Sequence, residues 1–290
     1  MSNSVCAATT EVSNAEFRMT DQEFKQFQTL IYDMTGINMG DSKRQLIFRR
    51  LVGRLKSLEL SSFSDYLARL KRGDDAVELE IFTNSITTNL TSFFREQHHF
   101  DYLAENIIPE LLRKKRRADK RLRIWSAGCS TGEEPYSIAI TMRESIPDIG
   151  SWDAKLLSTD LDSNVLETAK NGIYPEERVE SLPSEVVKKW FLKSVQQDKT
   201  LVSANRSLQE LITFKQLNLM QDWPMRGPFD VIFCRNVVIY FDKKTQRRLI
   251  NRYADLLDED GHLILGHSES LHEVSDRFEL IGKTIYKKIS

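Results

Sequence analysis

The segment Leu122-Arg123-Ile124-Trp125-Ser126-Ala127-Gly128-Cys129-Ser130-Thr131-Gly132-Glu133-Glu134-Pro135-Tyr136 runs from an apolar stretch into a loop of small residues, then into a helix that begins on two carboxylates. A strand, a glycine-bearing turn and a helix in that order bring bare backbone up to a nucleotide-like ligand at the carboxyl ends of a parallel sheet. The glycines alone do not choose the ligand. A phosphate site leaves its helix N-terminus open to an anion, drawn by exposed amides and the positive end of the dipole. Glu133 and Glu134 would repel a pyrophosphate there. S-adenosylmethionine carries a sulfonium, an ammonium and one carboxylate, so it has no phosphate to repel and suits this loop better than a dinucleotide. The alternative is that both glutamates are ordinary first-turn acids that complement the helix dipole.

Working outward, strand patterns alternate with helical ones. Candidate strands are Arg121 to Ser126, Lys155 to Asp160, Phe229 to Cys234 and His262 to Gly266, with a closing hairpin of Phe278 to Ile281 and Thr284 to Lys288. This order predicts an α/β fold, a doubly wound, mostly parallel, Rossmann-like sheet with helices on both faces. The rhythm breaks between Pro183 and Phe214. A helix from Ser184 to Leu192 is followed by Leu201 to Ala204 and Leu208 to Phe214, which read as short antiparallel strands of an inserted small β subdomain at about residues 193–214.

Ahead of the sheet, residues 1–18 are small and polar and read as a disordered tail. Thr20 and Glu23 then form a capping box, and Phe24, Phe27, Leu30, Ile31 and Met34 recur at helical spacing until Gly36. Further helices are expected over Ser42 to Leu58, Ser62 to Lys71 and Asp74 to about Thr88. A small all-helical domain over residues 19–90 thus precedes a catalytic domain over 91–290. A long helix from about Gln97 to Lys115 leads into the basic run Lys114-Lys115-Arg116-Arg117, read as a solvated helix end.

The chain has 290 residues, 40% of them hydrophobic and 29% charged, with a net charge of -1. Such a balance attracts neither nucleic acid nor an anionic membrane by global charge. No apolar run reaches roughly 18 residues, and the start lacks a basic-then-apolar secretory signal, so a cytoplasmic protein without membrane insertion is expected. Cys6, Cys129 and Cys234 have neither metal-ligand nor disulfide spacing, and the five histidines lack ligand spacing, so no metal is expected.

Two further positions carry chemistry. Asp160 ends the second strand, where an acid accepts both hydroxyls of a ribose; the competing reading is a helix N-cap, which Asp162 or Ser163 could also supply. After the strand Phe229 to Cys234 come Arg235-Asn236-Val237-Val238-Ile239-Tyr240-Phe241. Amine methyltransferases commonly place an Asn or Asp, two prolines and an aromatic there. That motif is absent, and Arg235 and Tyr240 offer donors suited to an acceptor that is already an anion. A hydrolase built on His267-Ser268-Glu269 is disfavoured because no nucleophile elbow precedes a helix.

Three motifs in order, Asn89-Leu90-Thr91-Ser92-Phe93-Phe94-Arg95-Glu96, the Ser130 to Ser137 loop and the Phe233 to Phe241 strand end, resemble the chemotaxis receptor glutamate methyltransferases (the CheR family) from about residue 20 to the C-terminus. The resemblance implies that Asn89, Thr91, Arg95, Glu134, Asp160, Asn218 with Leu219, and Arg235 with Asn236 line a site for S-adenosyl-L-methionine, the product being S-adenosyl-L-homocysteine. Arg95 and Tyr240 would lie near the transferred methyl and act in catalysis. It also implies that the substrate is a glutamate on the cytoplasmic helical bundle of a chemoreceptor (methyl-accepting chemotaxis protein), and that the enzyme, a monomer, is recruited to membrane-bound receptor clusters. In some members the small sheet grips a receptor peptide through a glycine-rich turn; Lys193-Ser194-Val195-Gln196 stand here instead. On the helix from Ser42 to Leu58, Lys43, Arg50 and Arg54 share a stripe that could dock the receptor, form an ordinary solvated face or meet nucleic acid.

Overall fold

The computed structural model describes residues 12–13, 16–115, 120–196 and 198–290. Cys6, most of the tail, and Arg116 and Arg117 of the basic run lie outside them. The chain divides into two compact units between Thr87 and Thr88.

In the first unit, β1 (Val12–Ser13) pairs antiparallel with β2 (Arg18–Met19), so regular structure begins ahead of Thr20. Four helices follow, α1 (Asp21–Thr35), α2 (Arg44–Ser57), α3 (Phe63–Arg72) and α4 (Ala76–Ile86). The capping box forms as its sequence predicts. Thr20 N donates to Glu23 Oε2 at 2.8 Å and Glu23 N donates to Thr20 Oγ1 at 3.2 Å, while Gly36 closes the helix at φ 73°. Phe27, Ile31, Leu51, Phe63, Tyr66 and Phe82 build the core, with Phe27 and Phe63 edge to face at 6.1 Å. The basic stripe on α2 is engaged within this unit. Arg50 Nη1 donates to the carbonyls of Ile86 and Thr87 at 2.8 Å each, and Arg54 pairs with buried Glu78, which also accepts from Tyr66 Oη at 2.7 Å. Only Lys43 of the three is exposed.

The second unit opens with α5 (His98–Tyr102) and α6 (Ile108–Lys115), separated by a π-helical turn at Leu103–Ile107 rather than continuous as expected. Pro109 supplies no N–H and its ring crowds the carbonyl four residues earlier, and the wider turn lies immediately before it. Then come β3 (Arg121–Ala127), α7 (Glu133–Ser145), β4 (Asp153–Asp160), α8 (Ser163–Asn171), β5 (Ile173–Pro175), α9 (Ser184–Trp190), β6 (Phe191–Gln196), β7 (Lys199–Ala204), α10 (Arg206–Gln209), β8 (Ile212–Gln216), β9 (Phe229–Cys234), α11 (Lys243–Leu256), β10 (Leu257–Leu265), β11 (Phe278–Leu280) and β12 (Ile285–Lys288).

The main sheet has the order β11-β12-β10-β9-β3-β4-β8, parallel from β10 to β8 and antiparallel at the β11–β12 hairpin. From β3 the chain steps outward through β4 to β8, then returns to the other side of β3 for β9 and β10. The reversal leaves a crevice at the carboxyl ends of β3, β4 and β9, where ligands of open α/β sheets bind. β9 is buried at every position, as a strand covered on both faces must be.

The inserted sheet has the order β5-β7-β6 and is wholly antiparallel. It therefore spans 173–204. Leu208 lies on α10, and Ile212–Gln216 joins the main sheet parallel to β4 instead of closing the insert. As an edge strand, β8 keeps an alternating exposure that imitates a half-buried antiparallel strand. The expected helix also ends two residues early, and Phe191–Gln196, including Lys193 to Gln196, forms strand β6.

Candidate active site

The loop between β3 and α7 is bent so that its amides face the second strand. Gly128 N and Cys129 N both donate to Thr159 O, at 2.8 and 2.9 Å. Gly132 has φ 101°, and a Cβ there would lie 2.9 Å from Ala169 Cβ and 3.0 Å from Ala169 Cα, so only glycine fits without displacing α8. Ser130 N donates to Asp160 Oδ2 at 2.7 Å, and Asp162 N donates to Asp160 Oδ1 at 3.0 Å. These two N–H groups meet different oxygens of Asp160, and the Leu161 backbone also hydrogen-bonds to the carboxylate. Asp162, not Asp160, caps α8, accepting from Asn164 N at 2.9 Å. Asn89 Nδ2 donates to Asp162 Oδ2 at 2.7 Å, and Asn89 O accepts from Ser130 Oγ at 2.9 Å, which ties the Asn89 to Glu96 motif to the loop.

The two glutamates have different surroundings. Glu133 is fully buried and pairs with Arg178 while accepting from Thr131 Oγ1 at 2.6 Å, so it is a structural acid. Glu134 accepts from Ser126 Oγ at 2.7 Å and from Arg235 Nη1 at 3.0 Å. Burial pushes its carboxyl above the ordinary range, and Arg235 and Ser126 pull against that rise.

Arg235 faces inward, contrary to the expectation of a donor open to substrate. It is 5% exposed, bridges Glu134 and Glu96 (3.3 Å), donates to Arg95 O and lies over the Phe100 ring at 5.3 Å. A guanidinium with five fixed donors and a flat face can serve all four partners, which a lysine could not. Arg95 donates to Leu90 O at 2.8 Å from Nη1 and is half-buried, as is Tyr240, on the short 3-10 turn Val238–Tyr240. On the far side, Asn218 Oδ1 accepts from Met220 N at 2.9 Å and Leu219 O accepts from Arg252 Nη1 at 2.7 Å. Arg252 in turn covers the Trp223 ring at 3.7 Å.

Residues 22–87 match the family model described as CheR methyltransferase, all-alpha domain, and residues 89–287 match CheR methyltransferase, SAM binding domain. The chain belongs to the CheR methyltransferase family. It is 43% identical over 276 residues to Chemotaxis protein methyltransferase 2 of Pseudomonas aeruginosa, covering 94% of this chain and 95% of that relative. It is 41% identical over 270 residues to Chemotaxis protein methyltransferase of Escherichia coli K12, covering 92% and 91%. Among solved structures, geranyl diphosphate methyltransferase in complex with GPP and sinefungin aligns at 12% identity and a TM-score of 0.33, over 59% of this chain and 44% of that one, a likeness too slight to decide anything. As a CheR methyltransferase the protein is an S-adenosylmethionine-dependent chemotaxis methyltransferase.

The charges of the CheR loop fit that cofactor. Among the described residues, the ion pairs of Glu96 and Glu134 to arginine run to the single guanidinium of Arg235, and Asp160 has no cationic partner. A ligand bearing a sulfonium and an ammonium offsets this negative excess, whereas a pyrophosphate would add to it.

The sequence offers Glu269 only as part of a disfavoured hydrolase motif; the structure gives it a different place. It is 4% exposed and accepts from Gly266 N (2.6 Å), Asn236 N (2.9 Å) and Ile239 N (3.1 Å), closing the turn that carries Asn236 and Tyr240. Burial pushes its carboxyl up, and those N–H groups oppose the shift. An acid three residues after the glycine that follows β10 was the available signal.

Proposed function

We propose that this methyltransferase esterifies glutamate side chains on the cytoplasmic helical bundle of a chemoreceptor, at receptor clusters, giving the methyl esters of chemotactic adaptation. The observation that carries the reading is that Glu96, Glu134 and Glu269 are already held by donors, while Arg95 and Tyr240, both half-buried at the strand end, can each donate to an incoming carboxylate. Such a site receives an acceptor that arrives as an anion. A glutamate carboxylate, with an ordinary pKa of about 4.3, is ionised at neutral pH and requires no base to deprotonate it.

The residues that would hold S-adenosyl-L-methionine are Asn89, Thr91, Arg95, Glu134, Asp160, Asn218, Leu219, Arg235 and Asn236. When bound, it supplies a methyl carbon on a sulfonium and leaves as S-adenosyl-L-homocysteine. Asp160 presents its carboxylate to a ribose diol. Arg235 acts from behind, holding Glu134 in place and fixing the Arg95 carbonyl. Arg95 and Tyr240 orient the incoming carboxylate. Charge is lost as carboxylate and sulfonium become ester and thioether, so an oriented site with little water favours the transfer, while too tight a grip on the carboxylate would stabilise the ground state instead.

The helical unit is the proposed receptor dock, acting in a monomeric enzyme. Because Arg50 and Arg54 are engaged within that unit, the dock uses the outward charges, Lys43 and Arg49. Incubation with labelled cofactor and a receptor fragment should place label on the receptor that leaves as methanol under mild base. Arg95→Ala and Tyr240→Phe should each cut turnover, and Lys43→Glu should raise the KM for receptor with unchanged affinity for S-adenosyl-L-homocysteine. Base-stable label, or full turnover in both active-site variants, would reject the glutamate-ester reading.

A further inference from the structure

We propose that the turn Gly266–Glu269 is the positioning element of the methyl-transfer site, fixing Tyr240 through Glu269 and Arg95 through His267 and Glu96. The inference rests on the reading above that Arg95 and Tyr240 orient the acceptor.

Both residues belong to strained backbone. Arg95 lies between Phe94 at φ 50° and Glu96 at φ 57°, and the turn that leads to Tyr240 starts at Asn236 with φ 58°. Side-chain-bearing residues in this left-handed region persist only where the surroundings hold them, at a cost on the order of 1–3 kcal/mol each. Ser137 and Arg235 hold part of this backbone, Ser137 Oγ accepting from Phe94 N at 2.9 Å, and the turn Gly266–Glu269 reaches both strained segments. His267 meets Glu96 twice, its N donating to Oε2 at 3.1 Å and its Nδ1 lying 2.9 Å from Oε1. Glu269 accepts from Asn236 N and Ile239 N, and closes its own turn through Gly266 N. Gly266 lets the segments approach, since a Cβ there would lie 2.5 Å from Asn236 Nδ2 and 2.9 Å from Asn236 N. Arg235 completes the link by donating to the Arg95 carbonyl while pairing with Glu96. Two catalytic groups from segments some 140 residues apart are thus set in register by one loop that acts through the backbone carrying them. This gives the His267-Ser268-Glu269 motif a role other than hydrolysis.

The test is a pair of double-mutant cycles in the full-length enzyme with receptor fragment and saturating cofactor. Glu269→Gln substitutes an amide for one of the acceptor oxygens, and should lower kcat by about tenfold or more in the native background. On top of Tyr240→Phe it should cost less than about twofold, because the group it positions is already gone. His267→Ala should behave in the same way towards Arg95→Ala. A merely structural residue would give equal fold losses in both backgrounds, and that result would overturn the positioning role alone. Native turnover in both Tyr240→Phe and Arg95→Ala would instead overturn the acceptor-side reading and the positioning role with it. If Glu269→Gln does not fold, the His267 cycle carries the decision, since that side chain is 69% exposed and its loss leaves no cavity.

Discussion

Asp160 joins burial to ligand choice. Its carboxyl is pushed up to about 6 by burial, against the pull of the Asp162 and Ser130 N–H groups. Only the ionised form accepts both hydroxyls of a ribose, so affinity for S-adenosyl-L-homocysteine should fall below pH 6, by about tenfold per unit at its steepest. Calorimetric titration at pH 5 and pH 7 checks this, and Asp160→Asn should bind weakly with the slope removed. The effect on stability has a definite sign. A folded-state value raised from 3.8 makes Asp160 contribute stability that is fully present below 3.8 and lost as pH rises through about 6. Glu96 behaves in the opposite way. Burial favours its neutral form, but His267 and Arg235 prevail and hold it at about 2, so its contribution is present above the ordinary 4.5 and lost as pH falls through about 2. Asp160 and Glu134 were legible in the sequence because each follows a strand at a junction that local pattern defines. The direction of Arg235 was not, since its partners stand 101 and 140 residues away. The role of Glu269 is hidden for the same reason, since two of its bonds run to residues 30 and 33 positions earlier.

Helices and strands show the same division between local and distant causes. The capping box of α1 and the glycine loop before α7 are written within a few residues, and both form as read. The pattern of β8 suits the insert equally well because an edge strand alternates whichever sheet it joins; its neighbour β4 lies some 50 residues earlier in the chain, beyond the reach of periodicity. The basic stripe of α2 is a further case. Helical spacing correctly places Arg50 and Arg54 together, yet it cannot reveal that α4 and the Thr87 that follows it offer them two carbonyls and a buried glutamate. Arg54→Glu would leave Glu78 buried beside a like charge, and breaking a buried pair costs about 3–5 kcal/mol. Thermal unfolding should show a large loss of stability in this variant, where a solvated docking charge would leave the midpoint nearly unmoved.

At the scale of the whole molecule, every proposed cofactor residue belongs to the second unit, including Asn89 at its start. Each unit has its own apolar core, one around Phe27, Phe63 and Phe82, the other around Ile124, Tyr136, Phe233 and Ile264. If the two cores melt separately, the product should stabilise only the part of the chain that binds it. Differential scanning calorimetry should resolve two heat absorptions, with a van't Hoff enthalpy below the calorimetric one. S-adenosyl-L-homocysteine at a hundredfold excess over its Kd should add about 2.7 kcal/mol to the transition of residues 88–290 and leave that of the helical unit in place. A single transition that moves as one would show that the two cores melt together. Separate cores also divide the consequences of substitution: damage among the phenylalanines of the helical unit would leave a chain that still holds S-adenosyl-L-homocysteine, so cofactor binding alone would not report that the helical unit had been lost.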